Sequence, residues 1–359
     1  MKQTGLAFAG LSLAPLKNFA LITPNEFHNN PENDPIRLSS NENPYGPSPL
    51  ARNAMSEVIN ISNRYQWKLG TDLIVAIASK NNVAAENILI APGSTEILDT
   101  VVRYAALKKG NFIVAHPSFS PWAKTAENLG LQKILIPLTT RKEYDLASML
   151  RAIDADTKLI HVCNPNNPSG SVCDKELLLS FVKEASRKAI VLVDEAYIDY
   201  SDQVSLGSLT RENQNLIVVK TFSKIYGLAG ARVGYAIAHS KTIDQLSRLQ
   251  TWPNVGVSAV TLAGALASIK DTGFVNSCYS LNEKAREFAT QQMELLNIRC
   301  ILSHTNFIYF SLSTYKKDFF SQLESNNIIG TRIYEEDGKW SRITVGTLQE
   351  MKLFIKALE

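Results

Sequence analysis

Short apolar runs, each closed by a cluster of turn-forming residues, recur through the middle of the chain: NILIAPGSTE, NFIVAHPSF, KLIHVCNPNNPSG, AIVLVDEAY and LIVVKTFSK. Each run is short, rich in Val, Ile and Leu, and lacks a polar alternate position, the pattern of a strand buried on both faces. Amphipathic stretches at 96–109 and 174–187 lie between the runs and predict covering helices. Strand and helix alternating in this way predict an α/β fold: a doubly wound, mainly parallel sheet. From about residue 260 the pattern changes to longer helical stretches at 281–296, 316–325 and 347–358, with two strand-like runs, TNFIYFSL and SRITVG. These predict a second, smaller α+β domain. The expected division is an N-terminal leader or arm over 1–36, a large domain over 66–260, and a small domain from 37–65 plus 261–359.

Composition narrows the function classes. The chain has 359 residues, 45% of them hydrophobic and 20% charged, with a net charge of +3, so it can bury a large core and carries no basic block that would mark a nucleic-acid face. The four cysteines, Cys163, Cys173, Cys278 and Cys300, have no metal-ligand spacing. No run reaches transmembrane length, and no membrane or metal partner is expected. The leader MKQTGLAFAGLSLAPLKNFA has a short apolar run from Gly5 to Leu16 similar to the core of an export signal, or it is a plain N-terminal arm. A cytoplasmic location is expected, with export as the alternative.

The polar residues that follow the strands converge on one edge, where ligands of such sheets bind. After NILIAP come Gly93, Ser94 and Thr95 at the start of a helix, either a cap or an anion cradle. After KLIHVC comes the Asn164–Gly170 loop, with Asn167 as donor and acceptor. Asp194 ends AIVLV, with Tyr197 three residues on; a buried carboxylate requires an internal cation or a ligand that bonds it. In VVKTFSKIYGLAGARVGYAIA, Lys224 follows a strand and leads through Gly227, Ala229 and Gly230 to Arg232. Together these call for one molecule with an anionic end for Ser94, Thr95, Ser223 and Arg232, a ring nitrogen for Asp194, and an aldehyde for Lys224. Pyridoxal 5′-phosphate has all three. Lys224 supplies the amine that condenses with its aldehyde, and the small residues let backbone approach closely.

SNENPYGPSP, SNRY, PGSTE, NPNNPSG, DEAY, TFSKIYGLAGARVGY and SRITVGT occur in an order that resembles the fold-type I aminotransferases, in particular the histidinol-phosphate aminotransferase branch. The resemblance runs from about residue 37 onward. It implies that Lys224 binds the cofactor covalently and moves the substrate proton, that Asp194 holds the ring nitrogen, and that Tyr197 and Asn167 bond the ring hydroxyl oxygen. It implies a homodimer in which Tyr65 reaches the neighbouring subunit's phosphate site. Arg342 matches the arginine for the substrate α-carboxylate, Arg332 a position for a substrate phosphate, and Tyr45 falls with the substrate-binding group. Trp122, in PSFSPW, is expected to stack on the cofactor or line the pocket, or else to be a core tryptophan.

The implied activity moves an amino group between histidinol phosphate or an aromatic or related amino acid and a 2-oxo acid, 2-oxoglutarate. Two stretches depart from the resemblance: QWKLG after Tyr65, and PSFSPW itself. Both fall on the substrate side. The alternatives are a decarboxylase of a phosphorylated amino acid that uses the same cofactor, and a non-catalytic regulator that binds it.

Overall fold

The computed structural model describes residues 34–359; the apolar run from Gly5 to Leu16 lies outside them. Strand β1 (Ile36–Arg37) opens the described chain, followed by α1 (Pro49–Glu57) and α2 (Trp67–Lys80). The central sheet takes β2 (Ile88–Ala91), β3 (Gly110–His116), β4 (Leu131–Pro137), β5 (Thr157–Cys163), β6 (Ile190–Asp194), β7 (Leu216–Thr221) and β8 (Gly234–Ala238). Their order is β2-β8-β7-β6-β5-β3-β4, with only β8 antiparallel to its neighbours. All five expected strands are present. The two that the apolar runs did not predict are β4, whose edge position leaves alternate residues exposed, and β8, which follows the glycine-rich segment.

The core explains why the inner strands lack polar alternation. Val191 and Val193 of β6, with Leu216 and Val218 of β7, enter the core on one face, while Leu192, Ile217 and Val219 enter the core on the other. A two-residue repeat sends successive side chains to opposite faces, and both faces are covered. The helices between these strands are α3 (Ser94–Ala105), α4 (Ala123–Asn128), α5 (Leu146–Arg151) and α6 (Lys175–Ala185), and α7 (Ser240–Ser247) follows the last of them. Helix α3 buries Ile97, Leu98, Val101, Val102 and Ala105, a helical stripe facing the second core. Asp174 caps α6 by accepting the Leu177 N–H at 3.0 Å.

The rest of the chain comprises α8 (Ala259–Lys270), α9 (Thr272–Leu295), β9 (Arg299–Cys300), β10 (Phe307–Ser311), α10 (Phe319–Ser325), β11 (Ile328–Ile329), β12 (Trp340–Thr344) and α11 (Leu348–Leu358). Strands β12-β10-β9 form an antiparallel sheet, and β1 pairs with β11 in parallel. Leu38 joins Ala285, Ile308, Phe310, Ile343 and Phe354 in a third core. Packing departs from the boundary expected at 261. Helix α8, AVTLAGALASIK, is apolar nearly all round, and its Leu262, Ala265 and Ile269 bury against the large sheet's core. Helix α1 packs on α8 rather than with β1. Helix α9 bridges the cores, with Cys278 in the first and Ala285, Ala289 and Met293 in the third.

Candidate active site

A cavity of about 250 Å³ opens at the carboxyl ends of β2, β6 and β7. Its wall includes Ser94, Thr95, Asn167, Asp194, Tyr197, Ser223, Lys224, Arg232 and Arg342, so nine of the expected residues meet in one place. Ser40, Asn41 and Phe119 also line it and were not singled out in the sequence.

One end is built for an anion. Gly93, at φ +90°, precedes α3 and leaves the N–H groups of its first turn unpaired within the helix. A Cβ on Gly93 would stand 2.3 Å from the Arg232 guanidinium, so only glycine lets that side chain lie across the helix start. Arg232, itself at φ +60°, donates to Ser223 Oγ at 3.3 Å and to the Ala229 carbonyl at 2.8 Å. Gly227, at φ +67°, faces the Gly46 carbonyl, which a Cβ would approach to 2.1 Å. Gly230 has open space around it, so the expected close approach holds at Gly227 and not there.

The other end holds an acid. Asp194 is buried, accepts the Ala196 N–H at 3.0 Å and makes no salt bridge among the described residues. Burial pushes its carboxyl up to about 6, opposed by that N–H and by Lys224. Glu195 turns the other way, to Lys220 at 3.8 Å and the Ser205 hydroxyl at 2.5 Å. Between the two ends, the Lys224 amine donates to the carbonyls of Ser40 at 3.3 Å and Asn41 at 3.4 Å and lies 5.5 Å from the Tyr197 ring centroid. Burial and then the Arg342 charge push it down to about 8. Tyr197 Oη accepts amide N–H groups from Asn41 at 2.9 Å and Asn167 at 3.2 Å, which leaves its own O–H free to donate.

Arg342 is buried. It donates to Asn167 Oδ1 and the Ser39 carbonyl, both at 2.7 Å, and its Nε has no partner among the described residues. Its guanidinium carbon is 5.3 Å from the Phe307 ring centroid and 5.2 Å from that of Tyr334. Arg332 is exposed and outside the cavity wall, with its guanidinium carbon also 5.2 Å from the Tyr334 centroid.

Three other expected residues lie elsewhere in the chain. Trp122 is a core tryptophan: it is 4% exposed, lies edge-on to Phe112 at 5.4 Å and is 4.9 Å from the His161 ring. It precedes the buried face of α4, which carries the indole into the core, and Phe119 lines the cavity in its place. Tyr45 packs near Cys278 against the first core and is not part of the cavity wall. Tyr65 is 67% exposed and stacks on Trp67 at 5.4 Å beside Trp252, in a separate groove of about 710 Å³.

The residues present fit pyridoxal phosphate: a helix start with Ser94, Thr95, Ser223 and Arg232 for the phosphate, Asp194 for the ring nitrogen, and Lys224 for the aldehyde. The model of the family "Aminotransferase class I and II" matches residues 33–358. A histidinol-phosphate aminotransferase of Moorella thermoacetica is 35% identical over 90% of this chain and 85% of its own. The histidinol-phosphate aminotransferase of Sinorhizobium meliloti, solved with pyridoxal-5′-phosphate, superposes with a TM-score of 0.83 at 24% identity, covering 90% of each chain. The L-threonine-O-3-phosphate decarboxylase of Porphyromonas gingivalis shares the fold too, with a TM-score of 0.76 at 22% identity over 90% of this chain and 98% of that one. On the match of the family model and of the curated relatives, the chain belongs to the aminotransferase class I and II family and is a pyridoxal-phosphate-dependent aminotransferase of fold type I.

Proposed function

We propose that this aminotransferase moves an amino group between histidinol phosphate, or a related aromatic amino donor, and 2-oxoglutarate. The observation that carries the reading is the pair of guanidinium groups, Arg342 in the cavity wall and Arg332 beside it, that share the Tyr334 ring. An acceptor with two carboxylates and a donor with a phosphate both present an anionic group remote from the reacting carbon. A fork of guanidinium donors suits either one. The names of the curated relatives point to the same donor.

Bound, pyridoxal phosphate supplies an aldehyde that takes the amino group and a protonated ring that draws electrons from the substrate Cα–H bond. Asp194, raised only to about 6 by burial, would hold that ring proton by a charge-assisted hydrogen bond. Lys224, its amine made easier to deprotonate by burial, would serve as the base that takes the proton from the substrate Cα. Tyr197, fixed by Asn41 and Asn167, donates to the ring hydroxyl oxygen. Tyr65, exposed and outside its own chain's cavity, serves the second copy of a homodimer.

The test is a donor panel assayed with 2-oxoglutarate on the wild type, Arg342→Ala and Arg332→Ala. Arg342→Ala is expected to impair 2-oxoglutarate and every amino-acid donor while sparing the carboxylate-free histidinol phosphate half-reaction; Arg332→Ala should impair histidinol phosphate and the dicarboxylate 2-oxoglutarate while sparing the half-reaction of amino-acid donors with a single anionic group. Failure of the wild type to accept histidinol phosphate removes that donor. Release of carbon dioxide without consumption of an oxo acid would make the enzyme a decarboxylase.

A further inference from the structure

We propose that Tyr334, locked by a Lys142–Glu335 ion pair, is the positioning residue that sets the distance between the Arg342 and Arg332 guanidinium groups, so that the site measures the separation of two anionic groups on its ligand. The proposal rests on the assignment of both arginines to anion binding, and adds to it a residue that touches neither cofactor nor reacting atoms.

Two like charges near one cavity repel each other, and Arg332 indeed makes it harder for Arg342 to keep its proton. The Tyr334 ring offsets that repulsion. Both guanidinium carbons stand 5.2 Å from its centroid, within reach of the negative face of the ring, so at most twice that distance separates them. The ring is itself held. Its hydroxyl is 3.0 Å from Thr331 Oγ1, and Tyr309 meets it edge-on at 6.2 Å. The next residue, Glu335, accepts the Lys142 ammonium at 2.6 Å and the Tyr309 hydroxyl at 2.6 Å, while Lys142 also lies 4.4 Å from the Trp340 ring centroid.

These contacts close a circuit back to the cavity. The Lys142 carbonyl accepts the Ser171 hydroxyl at 2.8 Å, the Ser171 carbonyl accepts the Asn166 N–H at 2.9 Å, and the adjacent Asn167 accepts Arg342 at 2.7 Å. Movement of the segment carrying Arg332 and Tyr334 therefore has to break the ion pair or shift the loop that bonds Tyr197 and Arg342. None of the circuit needs Arg332 to be buried, which explains how an exposed arginine is kept in register with a buried one.

The experiment measures Kd for unreactive straight-chain dicarboxylic acids of increasing length, and for a monocarboxylic acid, on cofactor-loaded enzyme. The wild type should prefer one length. Tyr334→Leu should flatten the length profile and weaken the preferred diacid about tenfold, with about twofold or less on the monoacid. Tyr334→Phe keeps the ring and should keep the profile, and Glu335→Gln should broaden it. Melting curves confirm folding; if Tyr334→Leu does not fold, the Glu335→Gln and Tyr334→Phe profiles decide. A wild type without length preference, or a Tyr334→Leu profile equal to wild type, overturns the proposal. If Arg342→Ala and Arg332→Ala also bind normally, the anion-binding assignment falls with it; if they lose binding while Tyr334→Leu does not, only the positioning role falls.

Discussion

Reductive methylation of the cofactor-free enzyme reads the neutral fraction of each lysine, and Lys224 is expected to stand apart from every surface lysine. Burial and the Arg342 charge bring its amine from 10.5 down to about 8. At pH 7.5 that leaves roughly a quarter of Lys224 neutral, against about one in a thousand for an ordinary lysine, a more than hundredfold gain in nucleophilic form. The rate at the Lys224 peptide, followed by mass spectrometry from pH 6.5 to 10, should rise through a midpoint near 8. Arg342→Met removes a repelling charge and should move the midpoint upward. The sign for stability follows. The folded pKa is lower than the unfolded one, so between about 8 and 10.5 the unfolded chain holds a proton that the native chain has released, and this group's contribution rises with pH across that window. A Lys224 midpoint indistinguishable from exposed lysines, or one unmoved by Arg342→Met, would refute the account.

Asp194→Asn should lower kcat far more than cofactor retention, because the carboxylate acts on the ring nitrogen; near-normal kcat would make it a structural acid only. Gly227→Ala puts a Cβ 2.1 Å from the Gly46 carbonyl at a left-handed φ of +67°, which should cost about 2 kcal/mol or more, read as a fall in Tm. An unchanged Tm would mean that this backbone contact yields freely. Refolding Lys224→Ala and Tyr65→Ala chains together should recover roughly a quarter of wild-type activity, since hybrid dimers carry one site with neither lesion. No gain above the parents, with hybrids verified by differential tagging, would assign Tyr65 to its own chain.

Much of the candidate cofactor site was legible because several of its residues end or follow a buried strand, and strand ends of one parallel sheet share an edge. Asp194, Lys224 and Ser94 needed only that rule. Arg342 is on a different sheet, and only the SRITVGT resemblance marked it. Asn41 lay in plain view within SNENPYGPSP, but its role depends on a partner at Thr344 that no local pattern foretells. Trp122 shows the opposite failure. An aromatic near a strand end can point either way, and the helix it begins decides; the same segment offers Phe119 to the cavity. Tyr334 and the Lys142–Glu335 pair were silent because cation–π contacts and ion pairs between distant segments leave no periodic trace.

The pairing of Asn41 with Thr344 spans 303 positions, and it has a consequence for the order in which a growing chain acquires parts. A chain made from its N-terminus has the acid, the lysine and the anion cradle once residue 238 is complete. Asn41, which steadies Tyr197 through its side chain and Lys224 through its carbonyl, is held first at that carbonyl by Asn306 at 2.9 Å and must wait for β12 before its own N–H is tied down. Until residue 344 has been synthesised, the central sheet can form while the wall that closes over its lysine lacks its β12 anchor. Translation thus sets the sequence of assembly: an open, half-walled site first, and a closed one only when two segments from far apart in the message meet.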